Sequence, residues 1–142
     1  MITSERAIEF IECLPLSGDY ADKKFILREW QKDILRKLFD TRLPDGRRQY
    51  REAGLWIPRK NAKSELAAAI CAVFIFLDEQ QGEIYSAAAE REQAGIIFKK
   101  LQQMIESSDL LRDRVKIIPT QKRIIHKKTG TVFASLSSDH AS

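Results

Sequence analysis

With 142 residues, 44% of them hydrophobic and 31% charged, the chain has the composition of one soluble globular domain long enough to bury a core. A net charge of +4 and a pI near 9.1 are a mild basic bias, compatible with a nucleic-acid partner but not diagnostic of one. Two cysteines without zinc spacing, a charged N-terminus (Glu5, Arg6, Glu9) and a longest uncharged apolar run of only Leu66 to Leu77 argue against a zinc site, a secretory leader and a membrane span, and for an intracellular, reducing setting.

Ala7, Ile8, Ile11 and Leu14 recur at helical spacing over residues 4–14, and Pro15 ends that helix. Ser17-Gly18-Asp19 is a turn, and Lys24 to Leu27 is a short extended run. Trp30, Ile34, Leu35, Leu38 and Phe39 make Glu29 to Phe39 an amphipathic helix. Leu43-Pro44-Asp45-Gly46 is turn chemistry that separates these helices from the rest of the chain. Tyr50 to Ile57 reads as the first core strand.

From Lys63 to about Asp78 the pattern is a helix apolar on every side, hence a buried one. Its end, Ile75-Phe76-Leu77-Asp78-Glu79, imitates an acidic strand end. At roughly 1.5 Å per residue those acids stand about 20 Å from the helix start, so they read as a solvated helix end. Glu83 to Ala88 is the second strand. Glu90 to Ile105 is a helix with Ala94, Ile97, Phe98, Leu101, Met104 and Ile105 on its core face. Glu90 and Glu92 near its start and Lys99 and Lys100 towards its end suit the helix dipole. Ser108 caps a turn of helix, Asp109 to Arg112. Val115 to Ile118, Arg123 to His126 and Thr131 to Leu136 are strands, the last two joined by Lys127-Lys128-Thr129-Gly130 with Gly130 supplying positive φ. His126 is read as a hairpin side chain, His140 as part of a polar tail, and Cys13 and Cys71 as buried free thiols. Arg42, Arg47, Arg48, Arg51, Arg59, Lys60 and Lys63 form one basic zone. Arg112, Arg114, Lys116, Lys122, Arg123, Lys127 and Lys128 form another.

The chemistry-bearing stretch is Ile57-Pro58-Arg59-Lys60-Asn61-Ala62-Lys63-Ser64, between the expected strand and the apolar helix. A strand, a tight turn and Lys-Ser opening a helix is the context of a phosphate-binding loop. Helix-start N–H groups face the phosphates, Lys63 pairs with their oxygens, and the Ser64 hydroxyl meets Mg2+. The usual pattern has glycine where this chain has Ile57 and Ala62. A basic loop ahead of a buried helix satisfies the same residues.

Gln49 to Ala69 (QYREAGLWIPRKNAKSELAAA), Ile84-Tyr85-Ser86-Ala87-Ala88 and Leu136-Ser137-Ser138-Asp139 together resemble the N-terminal ATPase region of the tailed-phage terminase large subunit, over about residues 28 to 139. Pro58 to Ser64 matches that family's Pro-Arg-Lys-Asn-Gly-Lys-Ser except at Ala62. The resemblance implies an α/β, P-loop NTPase-like, partial parallel-sheet core with flanking helices, N-terminal helices and a C-terminal β-hairpin. Residues 1–142 would then be a single ATPase-type domain, with 1–46 a helical lead-in and 47–142 an incomplete nucleotide-binding core. It implies ATP and Mg2+ as cofactors, held by Pro58, Arg59, Lys60, Asn61, Ala62, Lys63 and Ser64. Arg59 would reach the γ-phosphate in the manner of an arginine finger, Lys63 would assist catalysis, and Gln31 would read the adenine edge.

The resemblance also implies double-stranded DNA, a portal protein and a small terminase subunit as partners, a homo-oligomeric ring, and the bacterial host cytoplasm as the setting. Hydrolysis needs an Asp for the metal and a Glu for water at the end of a later strand, and no apolar strand ending in Asp-Glu comes after Glu79. The expected function is therefore the ATP-binding portion of a DNA-packaging motor with little turnover of its own. The alternatives are a non-hydrolysing terminase-like fragment that binds DNA or partner subunits, and an unrelated α/β binding domain.

Overall fold

Helix α1 spans Ser4–Glu12 because Thr3 caps it, its hydroxyl accepting the Arg6 N–H at 3.3 Å. The structure, a computed structural model, describes residues 1–15, 24–58, 63–89 and 91–137. Helix α2, Glu29–Asp40, buries Leu35 and Phe39 one turn apart. The two helices are tied where α1 begins and α2 ends: the Ser4 N–H donates to Asp40 Oδ1 at 2.9 Å, and the Ser4 hydroxyl donates to Oδ2. Arg42 completes the tie by donating to the carbonyls of Ile2, Phe39 and Gly46. This arginine of the first basic zone therefore serves the fold. The Leu43–Gly46 turn forms as expected, with Gly46 at φ +89.

Helix α3, Lys63–Phe76, is the buried centre, with Leu66, Ala68, Ala69, Ala72, Val73 and Ile75 all enclosed. It packs between α1 and the next long helix, α4, Arg91–Glu106. Phe39 of α2 and Phe10 of α1 meet its last turn at Phe74 and Phe76, with ring centroids 5.5 and 5.9 Å apart. The expected core face of α4 is the observed one, Met104 included. Its lysines behave differently from expectation: Lys99 and Lys100 lie well before the last turn, and the dipole does not account for them.

The sheet has strand order β1-β4-β3-β2. Strands β1 (Glu83–Ala88) and β4 (Val132–Ser137) are parallel. Strands β4, β3 (Arg123–His126) and β2 (Val115–Ile118) are antiparallel, so the sheet is mixed around one parallel pair. A short helix α5, Asp109–Arg112, capped by the Ser108 hydroxyl, leads into β2. Alternation puts Phe133 and Ile124, both fully buried, on the face that α4 covers, and Phe98 stacks over Phe133. On the opposite face Tyr85, Ala134, Arg123 and Ile118 form one cross-strand row, with Tyr85 54% exposed.

Two expectations are corrected. Residues 50–57 are not a core strand: they form no ladder, and Trp56 is 91% exposed with its ring folded over Gly54. An apolar run becomes a strand only when a neighbour takes its N–H and C=O groups, and no described strand pairs with this one. Cys13 is exposed, because it comes after the last turn of α1 on the side away from Ala7 and Ile11. Cys71 is half-buried, and burial pushes its thiol up to about 11, so it stays an inert thiol near neutral pH.

His126 is a hairpin residue, as expected. It is 7% exposed, its Nδ1 accepts the N–H groups of Lys128 and Thr129 at 3.2 and 3.3 Å, and its ring stands edge-on to Phe76. Gly130, at φ +77, closes the turn. Burial first, then the charges of Arg114 and Lys128, lower the histidine's pKa in the folded state. The unfolded chain therefore takes up this proton first as pH falls below about 6.5. Stability is full above that value and declines, by up to about 1.4 kcal/mol per pH unit, until the folded pKa is passed. His126→Asn keeps an acceptor there and removes the titration. Urea midpoints between pH 7.5 and 5 are expected to fall less steeply in the variant than in the parent.

Candidate functional site

The link 77–82 from α3 to β1 is short, and Phe76 at the end of α3 stands edge-on to His126, which is bonded to Thr131 just before β4, so α3 ends at the amino end of the β1–β4 pair and runs against it. The start of α3 therefore lies at the carboxyl end of β1. Helix α4 begins three residues after β1, and β4 is parallel to β1, so the start of α4 and the end of β4 share that edge. A crevice outside the carboxyl ends of parallel strands, faced by helix N-termini, is where α/β sheets hold ligands.

Lys63 and Ser64 are the first two residues of α3, as expected. Lys63 is exposed, and Ser64 is half-buried in the same turn. The first four N–H groups of any α-helix, those of the cap and the first three helical residues, have no acceptor within the helix, and here the three helical ones belong to Lys63, Ser64 and Glu65. An ammonium, a hydroxyl and a set of amides at one helix start suit a phosphate chain and its metal. Arg59, Lys60, Asn61 and Ala62 lie outside the described residues. Pro58 is described and exposed, at the end of the extended segment that leads to them.

Gln31 is 3% exposed, and its Oε1 accepts the Arg28 N–H at 2.8 Å. One lone pair of the carboxamide is thus spent on starting α2. Asp78 and Glu79 lie just past the far end of α3, where Asp78 Oδ1 accepts the Gln80 N–H. They stand away from Lys63, as the helical rise requires. Beside them a cavity of about 790 Å³ opens, lined by Phe39, Arg48, Arg51, Phe74 and Leu77, with the Arg48 guanidinium 5.0 Å from the Phe74 ring centre. It is at the opposite end of α3 from Lys63 and shares no residue with the phosphate-type site.

Sequence reasoning missed the partner of Lys100. Its Nζ reaches Glu65 Oε1 at 2.7 Å, a partly buried ion pair joining the first turn of α3 to α4. The only hint in the sequence was a carboxylate directly after Lys-Ser. Among the described residues no cluster of three or more His, Cys, Asp or Glu side chains is suited to a metal. A Mg2+ here would depend on phosphate oxygens, water and the Ser64 hydroxyl, a ligand set that this ion accepts. Among the same residues no helix is long and apolar enough to cross a membrane.

Residues 29–142 match the family described as terminase large subunit, ATPase domain. The chain is 32% identical over 143 aligned positions to the large terminase subunit of Enterobacteria phage HK97, an alignment covering 98% of this chain and 27% of that protein. The crystal structure of the HK97 bacteriophage large terminase superposes with a TM-score of 0.85 at 30% identity, covering 100% of this chain and 29% of the other. The chain thus spans about a quarter of the length of the curated relative it matches.

Proposed function

The chain belongs to the ATPase-domain family of terminase large subunits, and from that premise we propose that it is the ATP-binding portion of a DNA-packaging terminase. The observation that supports this most is the placement of Lys63 and Ser64 at the start of α3, at the carboxyl end of the β1–β4 pair. In this reading Lys63 neutralises phosphate oxygens and the α3 amides orient them. Ser64 contributes a hydroxyl to the Mg2+ that would accompany ATP, and that ion would supply charge neutralisation between the phosphates. Pro58 to Ala62 would wrap the remaining phosphate surface, with Arg59 directed at the γ-phosphate. Gln31 would offer its amide N–H groups to the adenine edge.

No described strand ends in Asp-Glu: β1, β2, β3 and β4 end in Ala88, Ile118, His126 and Ser137. The reading therefore assigns binding to these residues and leaves activation of water to others. Double-stranded DNA, portal and small-subunit partners, a ring of copies and the host cytoplasm belong to the same proposal for the whole protein.

Calorimetric titration of the chain with ATP tests the reading. Saturable one-to-one binding that weakens when Mg2+ is chelated is the expected result. Absence of binding at millimolar ATP would overturn it.

A further inference from the structure

Strands β2 and β3 with their flanks carry more than the whole positive charge of the chain. Residues 112–128 hold seven lysines and arginines and one acid, Asp113, a net +6 against +4 for the whole chain, so the other residues together carry −2. Strand β2 is the outermost of the sheet, and Arg114, Lys116, Arg123, Lys127 and Lys128 are all exposed. The register sets Lys116 opposite Ile125 and Arg123 opposite Ile118, so both project from the face that α4 leaves open. The other three share one end of the strand pair. The Lys127 N–H donates to the Arg114 carbonyl at 3.0 Å, and His126 Nδ1 accepts the N–H groups of Lys128 and Thr129, so these cations sit on a fixed turn. After burial, it is the charges of Arg114 and Lys128 that disfavour a proton on His126, so their positive potential reaches that ring.

This charge is not cancelled within the fold. Among the described residues Arg114, Lys116, Arg123 and Lys128 form no ion pair, and the Lys127 ammonium donates to a carbonyl, that of Asp113 at 3.2 Å. The basic zone at Arg42 to Arg51 differs. Arg42 donates to three carbonyls, Arg47 pairs with Asp45 at 2.7 Å, and Arg48 lies over the Phe74 ring. A lysine on an edge strand also discourages strand-to-strand aggregation, which accounts for Lys116 but not for the cations at the turn. From Arg123 to Lys127 the chain runs about 13 Å when extended. Over that length each strand of a DNA duplex presents about four phosphates.

We propose that residues 112–128 are the surface that meets the sugar–phosphate backbone of double-stranded DNA, in preference to the zone at Arg42 to Arg51. The proposal takes the kind of partner from the DNA-packaging reading above and does not depend on the phosphate site at Lys63. The contact is electrostatic and reads no base sequence.

Anisotropy of a labelled duplex of random sequence, titrated with the chain between about 50 and 200 mM salt, tests it. The parent is expected to bind with a slope of log affinity against log salt of about −3 to −4. Lys116→Gln/Lys127→Gln/Lys128→Gln is expected to bind about tenfold more weakly at the lowest salt, with a slope shallower by roughly 2 to 3. The charge-preserving Lys116→Arg/Lys127→Arg/Lys128→Arg is expected to bind as the parent does, and Arg47→Gln/Arg51→Gln to stay within about twofold of it. All of these side chains are exposed, so urea midpoints are expected to match the parent's. No duplex binding by the parent at about 100 μM overturns the proposal. An unchanged slope in the glutamine triple, an equal loss in Arg47→Gln/Arg51→Gln, a loss in the arginine triple, or equal affinity for polyglutamate also overturns it. ATP titration keeps the two sites apart: the glutamine triple is expected to bind ATP as the parent does, so failure of the DNA surface leaves the Lys63 site standing.

Discussion

Lys63→Ala is expected to lower ATP–Mg2+ affinity by on the order of 100-fold while leaving the unfolding midpoint within about 0.5 kcal/mol of the parent. The size comes from the charge. A bond between an ammonium and a phosphate oxygen contributes more than a neutral one, and its loss leaves phosphate charge unpaired at a site where the remaining donors are mostly amides. The stability half comes from exposure. Lys63 is exposed at the first position of α3, and alanine is a better helix former than lysine there. Isothermal titration and urea unfolding on the same preparations check both halves. Equal affinity for parent and variant would remove Lys63 from the site. A large drop in stability would show that the side chain serves the fold instead.

Phe133→Ala is expected to destabilise the chain by about 3–5 kcal/mol, the range for deleting a large aromatic from a packed interior. Phe133 is fully buried on β4, stacked against Phe98 of α4 and paired across the ladder with both Ile84 and Ile124. Its removal would open a void where α4 meets the two central strands. Marginal stability makes a loss of that size comparable to the whole folding free energy of a small domain. The expected readout is a large fall in urea midpoint or a chain that no longer unfolds cooperatively. Because β4 carries the parallel pairing that lines up with the start of α3, ATP binding should be lost in step with folding. Lys63→Ala should lose binding with folding intact, so the pair of variants separates the site from its scaffold.

Most elements could be read from local pattern because their determinants are local. The start of α3 at Lys63, the Ser108 cap, β1 from Glu83 to Ala88 and the Gly130 turn with His126 beside it each depend on residues within one or two turns. The Lys63-Ser64 helix opening belongs with them, since a helix start provides its own free amides. Residues 50–57 defeated the same reading. The apolar run Leu55-Trp56-Ile57 is as strand-like as Ile84-Tyr85 of β1, yet Trp56 lies in solvent. That Gln31, read from the sequence only as an adenine contact, also helps start α2 was not legible, because its burial and the Arg28 N–H that it accepts follow from α2 beginning against the core.

The sequence by itself determined where the helices of this chain begin and where the Gly46 and Gly130 turns fall, and it supplied the candidates for a phosphate site. Only the tertiary structure decided which run became a strand, that Arg42 would be spent on three carbonyls, and that Lys100 would stand over Glu65. The reason is range. Caps and turns are satisfied by neighbours in the chain, whereas ladder hydrogen bonds and buried ion pairs need partners that only packing brings within reach.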